Sequence, residues 1–272
     1  MTAVWSNSGF LSKNGMSLEY ACVGPDPSEA PTIILLHEGL GCATLWRDFP
    51  SKLADATGFG VFAYSRAGYG QSDAASLPWP LDYMTREARD ALPEVLDAIG
   101  FNRGILAGHS DGATIAAIYA GTACDPRVRG IVMMAPHFFT EEMGLKEIEK
   151  AKAAYNSGEL RERMSKYHKN PDSVFCGWSD SWLHPEFKAW NVSDVIGQIR
   201  VPMLAIQGRN DQYGTLRQIG ELETRGTSNV DTLILGDCRH APFLDRGEAV
   251  VAAIAEFCEK LELVKTTAPE RT

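Results

Sequence analysis

The chain has 272 residues, 44% of them hydrophobic and 22% charged, and a formal net charge of −9. That composition fits a globular protein able to bury a core, while the acidic balance argues against a nucleic-acid surface, which needs clustered Lys and Arg, and against docking on an anionic membrane. The N-terminal "MTAVWSNSGF" lacks the basic stretch and apolar run of a secretory signal, and no run approaches the roughly 18 apolar residues of a membrane span, so a cytoplasmic protein is expected.

In chain order, "GFLSK" and "MSLEYACV" read as two strands joined by Asn14-Gly15. That dipeptide suits a two-residue hairpin turn, whose central positions both need positive φ. The polar "GPDPSEAP" follows as a loop. Strand-like runs then recur at residues 32–37, 60–65, 103–108, 130–135, 202–208 and 231–236. They are apolar throughout, as strands covered by helices on both faces should be. Helical patterns fall between them at 45–56, 81–99, 111–122, 215–225 and 246–263, and Pro93 should kink or break the second of these. The C-terminal "KTTAPERT" reads as a frayed tail.

The alternation stops between residues 136 and 197, where the chain turns helical and aromatic-rich and carries Trp178, Trp182 and Trp190. The expected organisation is an α/β protein with a mostly parallel central sheet. Its core is built from residues 1–135 and 198–264, with a helical cap over 136–197 and a tail over 265–272. Cys22, Cys42, Cys124, Cys176, Cys238 and Cys258 are scattered without a C-x-x-C pair or zinc-ligand spacing, and read as free thiols.

Open parallel sheets bind ligands at the carboxyl ends of their strands. Here those ends deliver His37-Glu38-Gly39-Leu40-Gly41, Gly108-His109-Ser110-Asp111-Gly112, Gly208-Arg209-Asn210-Asp211 and Asp237-Cys238-Arg239-His240. A glycine-rich turn, a serine, an aspartate and a histidine therefore converge on one edge. A serine hydroxyl is a poor nucleophile at neutral pH and needs such a base nearby. The helix after Ser110 is lined by Gly112, Ala113, Ala116 and Ala117, small enough to approach the sheet. Its N-terminal N–H groups suit a developing oxyanion.

Through "HEGLG", "SRAGYGQSD", "GHSDG", "QGRND" and "CRHAPF" with a following Glu, in that order and spacing, the chain resembles the α/β-hydrolase superfamily over nearly its whole length. The resemblance implies Ser110 as nucleophile in a strained elbow, His240 as base and Asp211 as the acid that orients it. Some relatives carry that acid after the fourth core strand, but Ala135-Pro136-His137-Phe138-Phe139 offers no carboxylate. It further implies an oxyanion hole from the backbone N–H groups of Asp111 and Gly39, with Leu40 the alternative to Gly39. His37 then serves the oxyanion turn structurally, His109 packs in the elbow, and Asp237 is a turn residue. The family needs no metal or organic cofactor. Relatives with an aspartate at the elbow, the dehalogenases and epoxide hydrolases, are set apart by Ser110.

Glu38 stands where relatives usually carry glycine, and either pairs with Arg66 or contacts substrate. Asp111 either complements the helix dipole or joins Glu38 in an acidic wall that selects neutral or cationic substrates. The pocket candidates are Glu38, Leu40, His137, Phe138, Trp178, Trp182 and Tyr213. Phe139, Trp190, Tyr155, Tyr167 and His168 either share in the pocket or build the core of the cap. The expected function is serine-dependent hydrolysis of a small carboxylic ester or thioester, with a small molecule as the partner. Hydrolysis of a lactone or of a carbon–carbon bond in a ring-cleavage product, and a non-catalytic small-ligand receptor, are the alternatives.

Overall fold

The computed structural model describes Trp5, residues 7–13 and residues 15–263. Asn14 of the expected hairpin turn and the expected tail lie outside the described residues. Eight strands form one sheet: β1 (Ser8–Lys13), β2 (Met16–Val23), β3 (Thr32–Leu36), β4 (Gly60–Tyr64), β5 (Gly104–His109), β6 (Val128–Met134), β7 (Met203–Gly208) and β8 (Val230–Leu235). Their order is β1-β2-β4-β3-β5-β6-β7-β8, antiparallel from β1 through β4 and parallel from β4 to β8. The mostly parallel sheet expected from the apolar runs is borne out. The chain moves to one side of β3 to make β4 and to the other to make β5. This reversal opens a crevice beyond the carboxyl ends of β3 and β5, the place where such sheets bind ligands.

Side chains of successive strand residues feed two cores, because they alternate across the sheet. Ile34 and Leu36 of β3 join one apolar cluster with Phe62 and Leu106, whereas Ile33 and Leu35 join the other with Val61 and Ile105. Helices α1 (Phe49–Thr57) and α10 (Gly247–Lys260) cover the second cluster. The first is covered by α2 (Tyr83–Arg86), α3 (Leu92–Ala98), α4 (Asp111–Thr122) and α8 (Arg217–Arg225). Between β6 and β7 the chain makes α5 (Glu142–Asn156), α6 (Glu159–Met164) and α7 (Pro171–Trp182), followed by two short 3₁₀ turns. Helix α9 (Pro242–Asp245) follows the last strand. Among the described residues no helix is long and apolar enough to cross a membrane.

Two expectations are corrected by local chemistry, and the break expected at Pro93 is found. The helix expected at 45–56 is a 3₁₀ turn at Ala43–Trp46 and then α1, because Pro50 sits in the first turn of α1, where its missing N–H costs nothing. The helix at 81–99 is interrupted by a π turn over Glu87–Ala91, and Pro93 lies in the first turn of α3 beyond it. The wider turn lets the chain pass a residue that has no N–H for the i−4 carbonyl. Strand β8 is half-exposed along most of its length rather than covered on both faces, because it is the edge of the sheet.

Candidate active site

Ser110 stands between β5 and α4 with φ 52° and ψ −119°. Such a conformation is costly for a residue with a Cβ and persists only when the surroundings enforce it. The Ser110 N–H donates to the Met134 carbonyl at 2.9 Å, and the Ser110 carbonyl accepts from the Ala113 and Thr114 N–H groups at 2.9 and 3.1 Å. Close packing completes the turn, since a Cβ on Gly112 would overlap the Leu36 carbonyl oxygen.

His240, on the loop after β8, places Nε2 3.0 Å from Ser110 Oγ. Its Nδ1 lies 2.8 and 2.9 Å from the two carboxylate oxygens of Asp211, on the loop after β7. Asp211 is 7% exposed and also accepts from the Tyr213 N–H at 2.7 Å and the Gln207 side-chain amide at 2.7 Å. Burial works to raise its pKa, but the His240 imidazole and the Tyr213 N–H overcome that and bring the carboxyl down to about 2. An ionised Asp211 only accepts, so the His240 proton resides on Nδ1 and Nε2 is free to take one from Ser110. Among the described residues, the backbone N–H groups of Gly39 and Asp111 donate to no backbone acceptor.

Glu38 does not pair with Arg66. The Arg66 guanidinium donates to the backbone carbonyls of His37 at 2.5 Å and Glu38 at 3.1 Å, so it braces the turn through main chain. The Glu38 carboxylate lies instead 3.3 Å from His109 Nδ1, and His109 Nε2 meets the His240 carbonyl at 2.6 Å. His109 is thus more than packing in the elbow. Asp111 is 1% exposed, and its Oδ2 accepts from the Tyr83 hydroxyl at 2.5 Å while Oδ1 has no hydrogen-bond partner. Burial raises its pKa, with Arg66 opposing. The Tyr83 hydroxyl in turn accepts from the Trp182 indole N–H at 3.0 Å.

A cavity of about 90 Å³ opens on Ser110 and His240, with Glu38, Gly39, Leu40, Asp111, His137, Trp178, Trp182 and Tyr213 in its wall. Burial pushes the His137 imidazole down to about 3 and keeps it neutral. Phe138 is corrected: it is fully buried in the main core and lines no part of this cavity, its N–H donating to the Gln218 side chain at 2.8 Å. Trp190 stacks on Phe187 at 5.0 Å and Tyr155 on Phe175 at 3.9 Å, so both build the interior of the insertion. His168 accepts the Gly70 N–H at 2.9 Å through Nδ1, which leaves the Nε2 proton to donate to the Leu40 carbonyl at 3.1 Å. Sequence reasoning missed Gly144 and Ile148 of α5, which complete the wall, and Tyr83 behind Asp111. The i, i+3 spacing of Leu145 and Ile148 marks an apolar helix face, but not which cavity it meets.

A family profile described as alpha/beta hydrolase fold matches residues 31–177. The chain belongs to the α/β-hydrolase family. Among curated relatives it is similar to epoxide hydrolase 3 of Xenopus tropicalis, 28% identical over 130 residues that cover 47% of this chain and 34% of that protein. Epoxide hydrolase 3 of Siraitia grosvenorii is 26% identical over 147 residues, 53% of this chain and 43% of that one. The matches thus span less than half of these α/β hydrolases. Among solved structures, a 2-hydroxy-6-oxo-6-phenylhexa-2,4-dienoate hydrolase from Rhodococcus superposes with TM-score 0.77 at 17% identity, covering 93% of this chain and 98% of that one. The enol-lactonase from Burkholderia xenovorans gives TM-score 0.73 at 19% identity, with 92% and 100% covered. At such identities the likeness is one of fold.

Proposed function

We propose that this α/β hydrolase cleaves small carboxylic esters or thioesters through an acyl-enzyme formed on Ser110. The observation that carries this reading is the continuous hydrogen-bond line from Ser110 Oγ through His240 to the buried Asp211 carboxylate, at 3.0 and 2.8 Å. Ser110 attacks the substrate carbonyl carbon while its proton passes to His240 Nε2. Asp211 stabilises the imidazolium, and the Gly39 and Asp111 N–H groups take the charge developing on the carbonyl oxygen. As the bond to the leaving alkoxide or thiolate breaks, His240 returns the proton to it. Water then attacks the acyl-enzyme by the same route, releasing the acid and restoring Ser110.

The curated relatives are epoxide hydrolases, yet the elbow here carries Ser110 rather than the aspartate that sets that chemistry apart. The helices of the insertion act as a cap, and their apolar wall of Ile148, Trp178 and Trp182 favours an acyl group over a charged one. An apolar cavity of roughly 150 Å³ holds benzene, so the 90 Å³ here fits an acyl chain of a few carbons. The test uses p-nitrophenyl acetate, butyrate and octanoate beside Ser110→Ala. Turnover that prefers the short esters and drops about a thousandfold or more in the variant supports the reading. Equal turnover by both proteins would remove Ser110 from the chemistry.

A further inference from the structure

Beyond the three residues of the acyl-transfer line, a second acid–imidazole contact runs through the base of the site. His109 is 2% exposed, and both of its ring nitrogens face acceptors. Nε2 lies 2.6 Å from the His240 carbonyl oxygen, and Nδ1 lies 3.3 Å from Glu38 Oε2. A carbonyl and a carboxylate can only accept, so each nitrogen carries a hydrogen and the ring is an imidazolium. The contact joins three chain segments that meet nowhere in sequence: the turn after β3, the nucleophile elbow and the loop after β8. Glu38 directly precedes Gly39, and the His240 carbonyl belongs to the base itself.

We propose that Glu38 and His109 form a half-buried ion pair that positions His240 and the Gly39 turn around Ser110. Both are positioning residues, acting through the main chain of groups that touch the substrate. The proposal rests on the hydrolase reading above. Aromatic packing restrains the same ring, with Phe243 at 5.3 Å and the His240 ring at 5.0 Å. The titratable groups facing His109 are Glu38 on the turn after β3, Asp211 and His240 on the loops after β7 and β8, and His137 after β6. Glu38 and Asp211 both favour the cation, and His137 stays neutral. Burial opposes the charge on His109, yet Glu38 and the His240 carbonyl together raise its pKa above the ordinary value. Glu38 is itself brought down to about 2, against its own burial, chiefly by His109. The raised His109 pKa lets the pair persist to higher pH than a free imidazole would allow, and the pair is lost as pH rises through the His109 pKa.

The experiment compares pH–rate profiles of the full chain and its H109L, H109Q and E38Q variants on the best short ester. H109L removes both donors, and kcat should fall about 10- to 100-fold with little change in KM, the cost of misplacing a base. H109Q keeps a donor for the His240 carbonyl but does not titrate, so it should recover most of kcat and lose the alkaline limb of the wild type. E38Q keeps the hydrogen bond and removes the counter-charge, so the alkaline limb should move about one pH unit towards acid. Wild-type kcat in H109L, or an unmoved limb in E38Q, overturns the proposal. Should H109L fail to fold, E38Q decides the matter alone, since the Glu38 side chain is 26% exposed and tolerates the change. Loss of the hydrolase reading would look different, with turnover that survives Ser110→Ala.

Discussion

Replacing Tyr83 by phenylalanine deletes one oxygen atom that serves two buried partners. The hydroxyl donates to Asp111 Oδ2 at 2.5 Å and accepts from the Trp182 indole at 3.0 Å. Asp111 is 1% exposed and its other oxygen already lacks a partner, so the variant strands a whole carboxylate together with an indole N–H. A stranded buried group costs about 1–3 kcal/mol, towards the upper end when it carries charge. The two losses together come to about 3–5 kcal/mol. At roughly 2–4 °C per kcal/mol for a domain of this size, Tm should fall by on the order of 10 °C. The penalty should depend on pH in a definite sense. Burial already holds the Asp111 pKa above its unfolded value, and Tyr83→Phe raises it further. The folded variant therefore binds its proton more tightly, so the carboxylate's share of the deficit is largest near neutrality and fades as pH falls through the folded Asp111 pKa, while the indole's share remains. Adding Asp111→Asn to the variant removes the charge and should restore part of the loss. Thermal melts of the wild type, Tyr83→Phe, Asp111→Asn and the double variant at several pH values are the assay. A Tyr83→Phe protein that melts within about 2 °C of the wild type, a shift too small for even 1 kcal/mol, would refute the reasoning.

Asp211→Asn should lower kcat by about 10⁴-fold by favouring the wrong His240 tautomer, with the melting temperature checked alongside. Because Asp211 stays ionised down to about 2, no acid limb of the rate profile above pH 4 should come from its carboxyl. The stability that this depressed pKa confers is present above the unfolded value near 3.9 and is lost as pH falls through 2, which acid titration followed by fluorescence will show. Ile148→Ala enlarges the cavity from the α5 side and should move the preferred ester to a longer acyl chain, read from kcat/KM across a homologous series. Arg66→Lys replaces a planar fork by a single ammonium that cannot brace both the His37 and Glu38 carbonyls, and should destabilise the protein by about 1–3 kcal/mol in denaturant titration.

Much of this arrangement was legible in the sequence because it lies at strand ends. Apolar runs locate the strands, the sheet rule locates the ligand edge, and four short loops then supply the chemistry within hydrogen-bond reach. The bounds of α4 followed from the elbow that starts it and the small residues that bed it on the sheet. The partner of Glu38 was not legible. Charge complementarity pointed to Arg66, but that guanidinium is consumed by backbone carbonyls, and the carboxylate turns to a histidine 71 residues away. The role of Phe138 failed for a similar reason. Being next to His137 in sequence says nothing about facing the cavity, since neighbouring side chains point apart, and Phe138 turns into the core. Ile148 and Gly144 were missed because a helix face records that it is covered without recording by what.

The single imidazole of His168 couples two loops of the core to the insertion. It satisfies Gly70 with one nitrogen and Leu40 with the other, across 98 and 128 residues of chain. Only the neutral ring can do both, and burial lowers the pKa of His168 accordingly. Leu40 follows the Gly39 N–H by one residue, so docking of the segment bearing His168 fastens the Leu40 end of the turn that Arg66 braces at His37 and Glu38. Sub-global opening of the insertion, which is cheaper than unfolding the sheet, would slacken the turn proposed to receive the substrate oxygen. Catalytic competence and insertion docking therefore form one cooperative unit. In mild denaturant the enzyme should fall silent while its central sheet is still folded.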